Sequence, residues 1–130
     1  MSELARALYM RFSYPFVSGF YGLTLIYAEE HEAAVPLLAR GYEYDLYFGI
    51  EYAGALWVTS RRRTALDVLF KCVAQRPDDL ECKRTLVTML IEARDGESAL
   101  EHLRSLRAAS PNDSTLDDLQ RQVNALLVIH

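Results

Sequence analysis

Three histidines, two cysteines and three pairs of adjacent acids are the side chains of this 130-residue sequence best suited to chemistry. Their spacing argues against it. His31, His102 and His130 lie far apart, and none has a second histidine four residues away on a helix, so no metalloprotease or deaminase pattern forms. A metal centre needs several convergent ligands. His31 falls at an expected helix junction and His102 on an exposed helix face. The pairs Glu29-Glu30, Asp78-Asp79 and Asp117-Asp118 are sequence neighbours. Neighbours on a helix point about 100° apart, so they do not converge as acid and base and read as turn and cap residues. The glycines, at 19, 22, 41, 49, 54 and 96, are dispersed and build no phosphate loop. Cys72 and Cys82 have neither the paired spacing of a zinc site nor the density of a disulfide scaffold, and read as plain buried or half-buried thiols. The expectation is no catalytic residue, no metal ligand and no cofactor.

The elements carrying these residues are helices. About half of the residues are hydrophobic and a quarter charged, the balance of an ordinary folded domain, and the length suits one domain over residues 1–130. Net charge is -4, with the excess acid in the first half, which disfavours nucleic acid as a partner because phosphate binding needs a basic face. The longest nearly apolar stretch, Phe16 to Ala28, is shorter than the roughly 20 residues of a spanning helix. The start, with Glu3 early and no basic segment leading into an apolar run, reads as cytoplasmic.

A repeat organises the second half. Ala65, Leu66, Leu69, Ala74, Pro77 and Asp79 recur as Ala99, Leu100, Leu103, Ala108, Pro111 and Asp113, every pair at the same offset. Each segment has apolar residues at helical spacing and stops at a proline. Upstream of each lies another helix, Tyr44 to about Ser60 and Leu80 to about Arg94, the second closed by the turn signal Asp95-Gly96. The unit is helix, turn, helix.

This pattern resembles the tetratricopeptide repeat family, whose unit is about 34 residues, the offset found here, with a small residue inside the second helix and a proline at its end. Ala65 and Ala99 stand at the small position, and Pro77 and Pro111 at the proline. A degenerate copy fits upstream, with Gly22 and Leu25 on its first helix, Ala34 and Leu38 on its second, and Gly41 in the proline region. Its step to the next copy, from Ala34 to Ala65, falls three positions short of the full period. The large aromatic near the start of each repeat is replaced by Gly49 and Lys83. The resemblance implies an all-α fold, a TPR-like helix-turn-helix repeat solenoid. The repeats fall at about 15–43, 46–79 and 80–113. An N-terminal helix at 2–14 carries Leu4, Leu8 and Phe12 on one face. A capping helix at 114–128 starts from a Ser or Thr cap, with Asp117 and Asp118 in its first turn.

All eight tyrosines (Tyr9, Tyr14, Tyr21, Tyr27, Tyr42, Tyr44, Tyr47 and Tyr52) and four of the five phenylalanines fall in the first 52 residues. Tyr21, Tyr52 and Phe70 take core positions of the repeat, but a two-helix layer cannot bury every ring, and tyrosine favours interfaces where one end is dry and the other wet. In the resembling family the first helix of each repeat lines a concave groove. That implies a partner-binding set of Phe16, Phe20, Leu23 and Tyr27, then Tyr47, Ile50, Gly54 and Trp57, then Arg84, Thr88 and Ile91. The first two groups offer no Lys, Arg or Asn, unlike family members that hold the carboxylate terminus of heat-shock chaperones. The nearby acids Glu43, Asp45 and Glu51 suit a partner with some basic character.

By size and architecture the chain is similar to the small tetratricopeptide-type chaperones of bacterial type III secretion systems. That implies a cytoplasmic chaperone, not an enzyme, holding an apolar or amphipathic segment of a partner protein, and forming a homodimer when no client is bound. The alternatives are a scaffold or assembly factor joining folded proteins, and a regulatory subunit of an enzyme complex.

Overall fold

The computed structural model describes Glu3, residues 22–44 and residues 48–128. The expected N-terminal helix at 2–14 lies outside these residues except for Glu3. Regular secondary structure among the described residues is helical, with no strand. After a helical segment at 22–27 come α1 (His31–Tyr44), α2 (Gly49–Val58), α3 (Arg62–Gln75), α4 (Leu80–Glu92), α5 (Gly96–Ala109) and α6 (Leu116–Val128).

One turn occurs three times. Glu29, Ser60 and Arg94 have φ of 60°, 67° and 62°, the left-handed conformation with which helices commonly end. At each, the residue's own N–H donates to the carbonyl three residues back (Ile26, Trp57, Ile91). The next N–H donates to the carbonyl five residues back (Leu25, Leu56, Leu90). This paired bonding closes one helix and turns the chain straight into the next. There Ala34, Ala65 and Ala99 donate to the carbonyls of Glu30, Arg61 and Asp95. The turns keep the step of the sequence repeat: Ser60 to Arg94 is one full period, and Glu29 to Ser60 falls three positions short of it.

The chain divides into two compact units, Met1–Val68 and Leu69–His130. In the first, α1 packs on α2. Its core gathers Leu25, Ala33, Ala34, Leu37, Leu38, Phe48 and Ala55, with Leu23, Ile26, Val35, Tyr42 and Tyr52 packed against them. The helical segment at 22–27 approaches α1 so closely at Gly22 that a Cβ there would lie 2.8 Å from Leu38 Cγ and 3.1 Å from the Leu38 backbone nitrogen. In the second unit α4 packs on α5, and α5 on α6. Leu86, Leu90, Ala99, Leu103, Leu106, Leu116 and Val123 are buried there. Asp79 and Asp95 cap α4 and α5 by accepting from the N–H groups of Cys82 and Ser98, satisfying donors that a helix start leaves open.

Three local expectations are corrected. The Asp95-Gly96 pair is not the turn: Arg94 takes the left-handed position, Asp95 is the cap, and Gly96 begins α5. Gly96 is small because a Cβ would stand 3.2 Å from both Leu126 and Leu127 of α6. Phe70 is 38% exposed, not a core ring. The buried face of α3 runs through Ala65, Leu69 and Cys72, and Phe70 sits about 100° round the helix from Leu69. The start of α6 has its acids, but the Thr115 hydroxyl donates to Asp113 Oδ1 and accepts from Arg84 instead of capping the helix.

Two glycines predict opposite outcomes. Gly22→Ala should lower unfolding stability by about 1–3 kcal/mol through overpacking against Leu38. Gly54→Ala, inside α2 with nothing within 4 Å of its Cβ position, should raise it by about 0.5–1 kcal/mol. Urea unfolding followed by circular dichroism reads both, and equal signs would contradict the packing described.

Candidate functional site

The residues expected to line a groove are distributed as follows. Phe16, Phe20 and Tyr47 lie outside the described residues. Leu23 and Tyr27 share one face of the segment at 22–27: Leu23 is half-buried against the core, whereas Tyr27 is 89% exposed. On α2, Ile50, Gly54 and Trp57 stand at i, i+4 and i+7, again one face. Ile50 is half-buried, Gly54 leaves open space above it, and Trp57 is buried. The Arg62 guanidinium covers the Trp57 ring, 4.4 Å from its centroid, where the face of the π-system attracts a cation. The neighbouring Arg61 donates to Thr59 Oγ1 at 3.0 Å and pairs with Glu32. Thr59 in turn donates to the Ala55 carbonyl at 2.7 Å. The arginine run thus holds Trp57 and ties the end of α2 to the start of α1.

Close by in the same unit, the Tyr42 and Tyr52 rings stand 5.4 Å apart at 41°. Burial raises the Tyr42 phenol above the ordinary tyrosine value of 10.0, with the Tyr52 oxygen adding to it. Tyr52 is raised by burial, then by the Glu43 carboxylate, with Arg61 acting in the opposite direction. The Tyr42 hydroxyl and His31 Nδ1 are buried and meet no hydrogen-bond partner among the described residues.

In the second unit the expected positions on α4 are Arg84, Thr88 and Ile91. Arg84 donates to Asp113 Oδ2 at 2.7 Å and to Thr115 Oγ1 at 2.9 Å. Its guanidinium therefore ties α4 to the turn before α6. Arg107 completes that knot through the Asp113 carbonyl and Asp117. The two hydrogen bonds from Thr115, and then Arg84, hold the Asp113 carboxyl below its usual range. Thr88 is exposed and donates back to the Arg84 carbonyl, and Ile91 is half-buried. The knot was not legible in sequence, since its hydrogen-bonded pairs are separated by up to 31 positions. His102, expected on an exposed face, is half-buried with its ring 5.6 Å from that of Phe70.

The cysteines also depart from expectation. Cys72, near the end of α3, and Cys82, in the first turn of α4, form a disulfide with their Cα atoms 6.4 Å apart, not two plain thiols. The turn through Pro77 brings the two buried sulfurs together, which a ten-residue spacing alone does not show.

No family model matches the sequence, and no curated protein does either. Among solved structures, the chain is similar to the first TPR of Spaghetti (RPAP3) bound to an HSP90 peptide, SRMEEVD. The TM-score is 0.78 at 13% identity, over 89% of this chain and 94% of that one. It is also similar to a mutant of MamA, with a TM-score of 0.65 at 23% identity over 81% and 79%. The fold is a tetratricopeptide-type helical repeat. Among the described residues no helix is long and apolar enough to cross a membrane.

Two measurements test this description. Trp57 is the only tryptophan in the sequence. Arg62→Ala should red-shift its emission, increase quenching by acrylamide and lower stability by about 0.5–1 kcal/mol; unchanged emission would contradict the cover. Because Tyr42 and Tyr52 are raised in the folded state, the native chain keeps protons that the unfolded chain loses above pH 10.0. Their contribution to stability is complete below that pH and is lost as pH rises through the folded-state values. The urea midpoint should fall above pH 10.0, less steeply in Tyr42→Phe.

Proposed function

We propose that the chain is a protein-binding module that acts as a small cytoplasmic chaperone, holding a hydrophobic or helical segment of a partner, with a type III secretion subunit as the client class. The observation that carries this reading is the 89% exposure of Tyr27. A large ring standing in water on the same helical face as half-buried Leu23 is the kind of anchor that interfaces use. The open space over Gly54, one turn from Ile50 and from Trp57, gives α2 a notch that a partner side chain can fill. An apolar helix docking there would present anchors at i, i+3, i+4 and i+7. The sequence pattern adds Phe16, Phe20 and Tyr47 to the expected set as further apolar residues. The similarity to a TPR solved with a bound peptide supports the class of ligand. The absence of basic groups among the first two groove sets favours an apolar segment over an acidic peptide terminus.

The test is affinity capture from the native cell with the whole chain as bait, comparing wild type with Tyr27→Asp and Gly54→Trp. Both variants should keep their helical circular dichroism. One small partner with an apolar segment, stoichiometric with the bait and lost in both variants, is the expected result. Large folded partners retained by the variants would favour a scaffold or a regulatory subunit. A homodimer that persists beside its partner would remove the client-for-dimer exchange from the reading.

A further inference from the structure

Asp79 sits where a disulfide has no use for it. Its Oδ1 accepts from the Cys82 N–H at 3.1 Å and caps α4. Its Oδ2 faces Cys82 Sγ at 3.5 Å, yet a sulfur in a disulfide carries no proton to donate. The carboxylate oxygen is therefore held against sulfur without a hydrogen between them. Cys72 Sγ, Cys82 Sγ and an Asp79 oxygen all lie within 4.8 Å of one another. Both cysteines are buried while Asp79 is half-buried, so the cluster opens to solvent on the carboxylate side.

We propose that the reduced form of this cluster is a site for one thiophilic divalent cation of the zinc class, with Cys72, Cys82 and Asp79 as its three protein ligands, and that the disulfide is its oxidised, metal-free form. The donor set is chemically suited. Two thiolates and a carboxylate are ordinary zinc ligands, and three protein ligands leave a fourth position for water. With Zn–S of about 2.3 Å, two thiolates on a tetrahedral ion stand roughly 3.8 Å apart. Side-chain rotation can open that gap between Cα atoms 6.4 Å apart without moving either helix far. Without a cation, three negative groups would crowd one half-buried place. With it, two of the three negative charges are offset and Oδ2 gains the partner it lacks. The ligands span the α3–α4 turn, so the ion would brace the same junction as the disulfide.

The chemistry balances with a phosphine as reductant. The phosphine gives two electrons to the S–S bond and ends as its oxide with oxygen from water, and each sulfur takes one proton. The divalent ion then binds as those two protons leave.

The experiment uses the full chain, reduced with a phosphine under anaerobic conditions and titrated with cobalt(II) and cadmium(II) as spectroscopic probes, then with zinc(II) in competition. Expected are a thiolate-to-metal charge-transfer band that saturates at one ion per chain, and protection of both thiols from alkylation by zinc, read by mass spectrometry. Cys72→Ser should abolish the band. Asp79→Asn keeps a good helix cap but removes the charge, and should weaken binding by about tenfold or more. No band and no protection in the wild-type chain would overturn the proposal, as would a band that survives Cys72→Ser. Binding that is unchanged in Asp79→Asn would overturn the three-ligand site. The protection assay needs no variant, so failure of a variant to fold leaves the proposal exposed to test.

Discussion

Everything in this fold depends on the left-handed turn at Glu29, Ser60 and Arg94. Two hydrogen bonds reach back across each helix end, and the chain reverses within a few residues. Helices so joined pack on each other where α4 meets α5 and where Gly22 meets Leu38 of α1. One helical turn further on, Ala34, Ala65 and Ala99 are each fully buried. At the same depth the turn's acceptor residues, Leu25, Leu56 and Leu90, are buried as well. A left-handed residue other than glycine costs on the order of 1 kcal/mol. None of the three turns uses glycine, so the bonds and the leucine burial must offset that cost each time. The glycines serve close approach instead, at Gly22 against Leu38 and at Gly96 against α6.

That division explains what could be read from the sequence. The period was legible because Ala65, Leu69 and Pro77 return unchanged in type as Ala99, Leu103 and Pro111, and helix stops at proline follow from backbone chemistry alone. The turn itself was not, because no glycine or asparagine marks the left-handed position, and the turn-like dipeptide Asp95-Gly96 lies a residue too late. Equivalent positions also do different jobs. Asp79 caps α4 through the N–H three residues on, whereas Asp113, one repeat later, accepts from the Thr115 N–H two residues on and anchors Arg84. A repeat reports where a residue sits, and tertiary partners decide what it does there.

The candidate face was half legible. Composition flagged an aromatic first half, and Tyr27 stands exposed within it, but Phe48 fills the core and Trp57 lies under Arg62. Arg62 could not be assigned from spacing, since the arginine run reads as a basic cluster until the end of α2 places one guanidinium on the ring and another on Glu32. A partner reaching Trp57 has to displace a cation already in a favourable place, so affinity there depends on what it offers Arg62 in exchange. An acidic residue flanking an apolar anchor would do so. The acids Glu43 and Glu51 of the same unit would oppose such a residue if it sat elsewhere on the face.

The disulfide bears on where such a protein can work. A Cys72–Cys82 bond persists in oxidising compartments and is reduced by the thiol pools of the cytosol, so the bonded form and the proposed cytoplasmic setting are two states of the chain rather than one. Reduction leaves two thiols in the core of the α3–α4 junction, beside a carboxylate that already serves as the cap of α4. The cap survives because Oδ1 bonds to backbone, not to sulfur. The helix start therefore does not depend on the redox state of the cysteines. What changes is the cross-link between the end of one helix pair and the beginning of the next, where the three gathered donors are able to replace a covalent bond with a coordinate one.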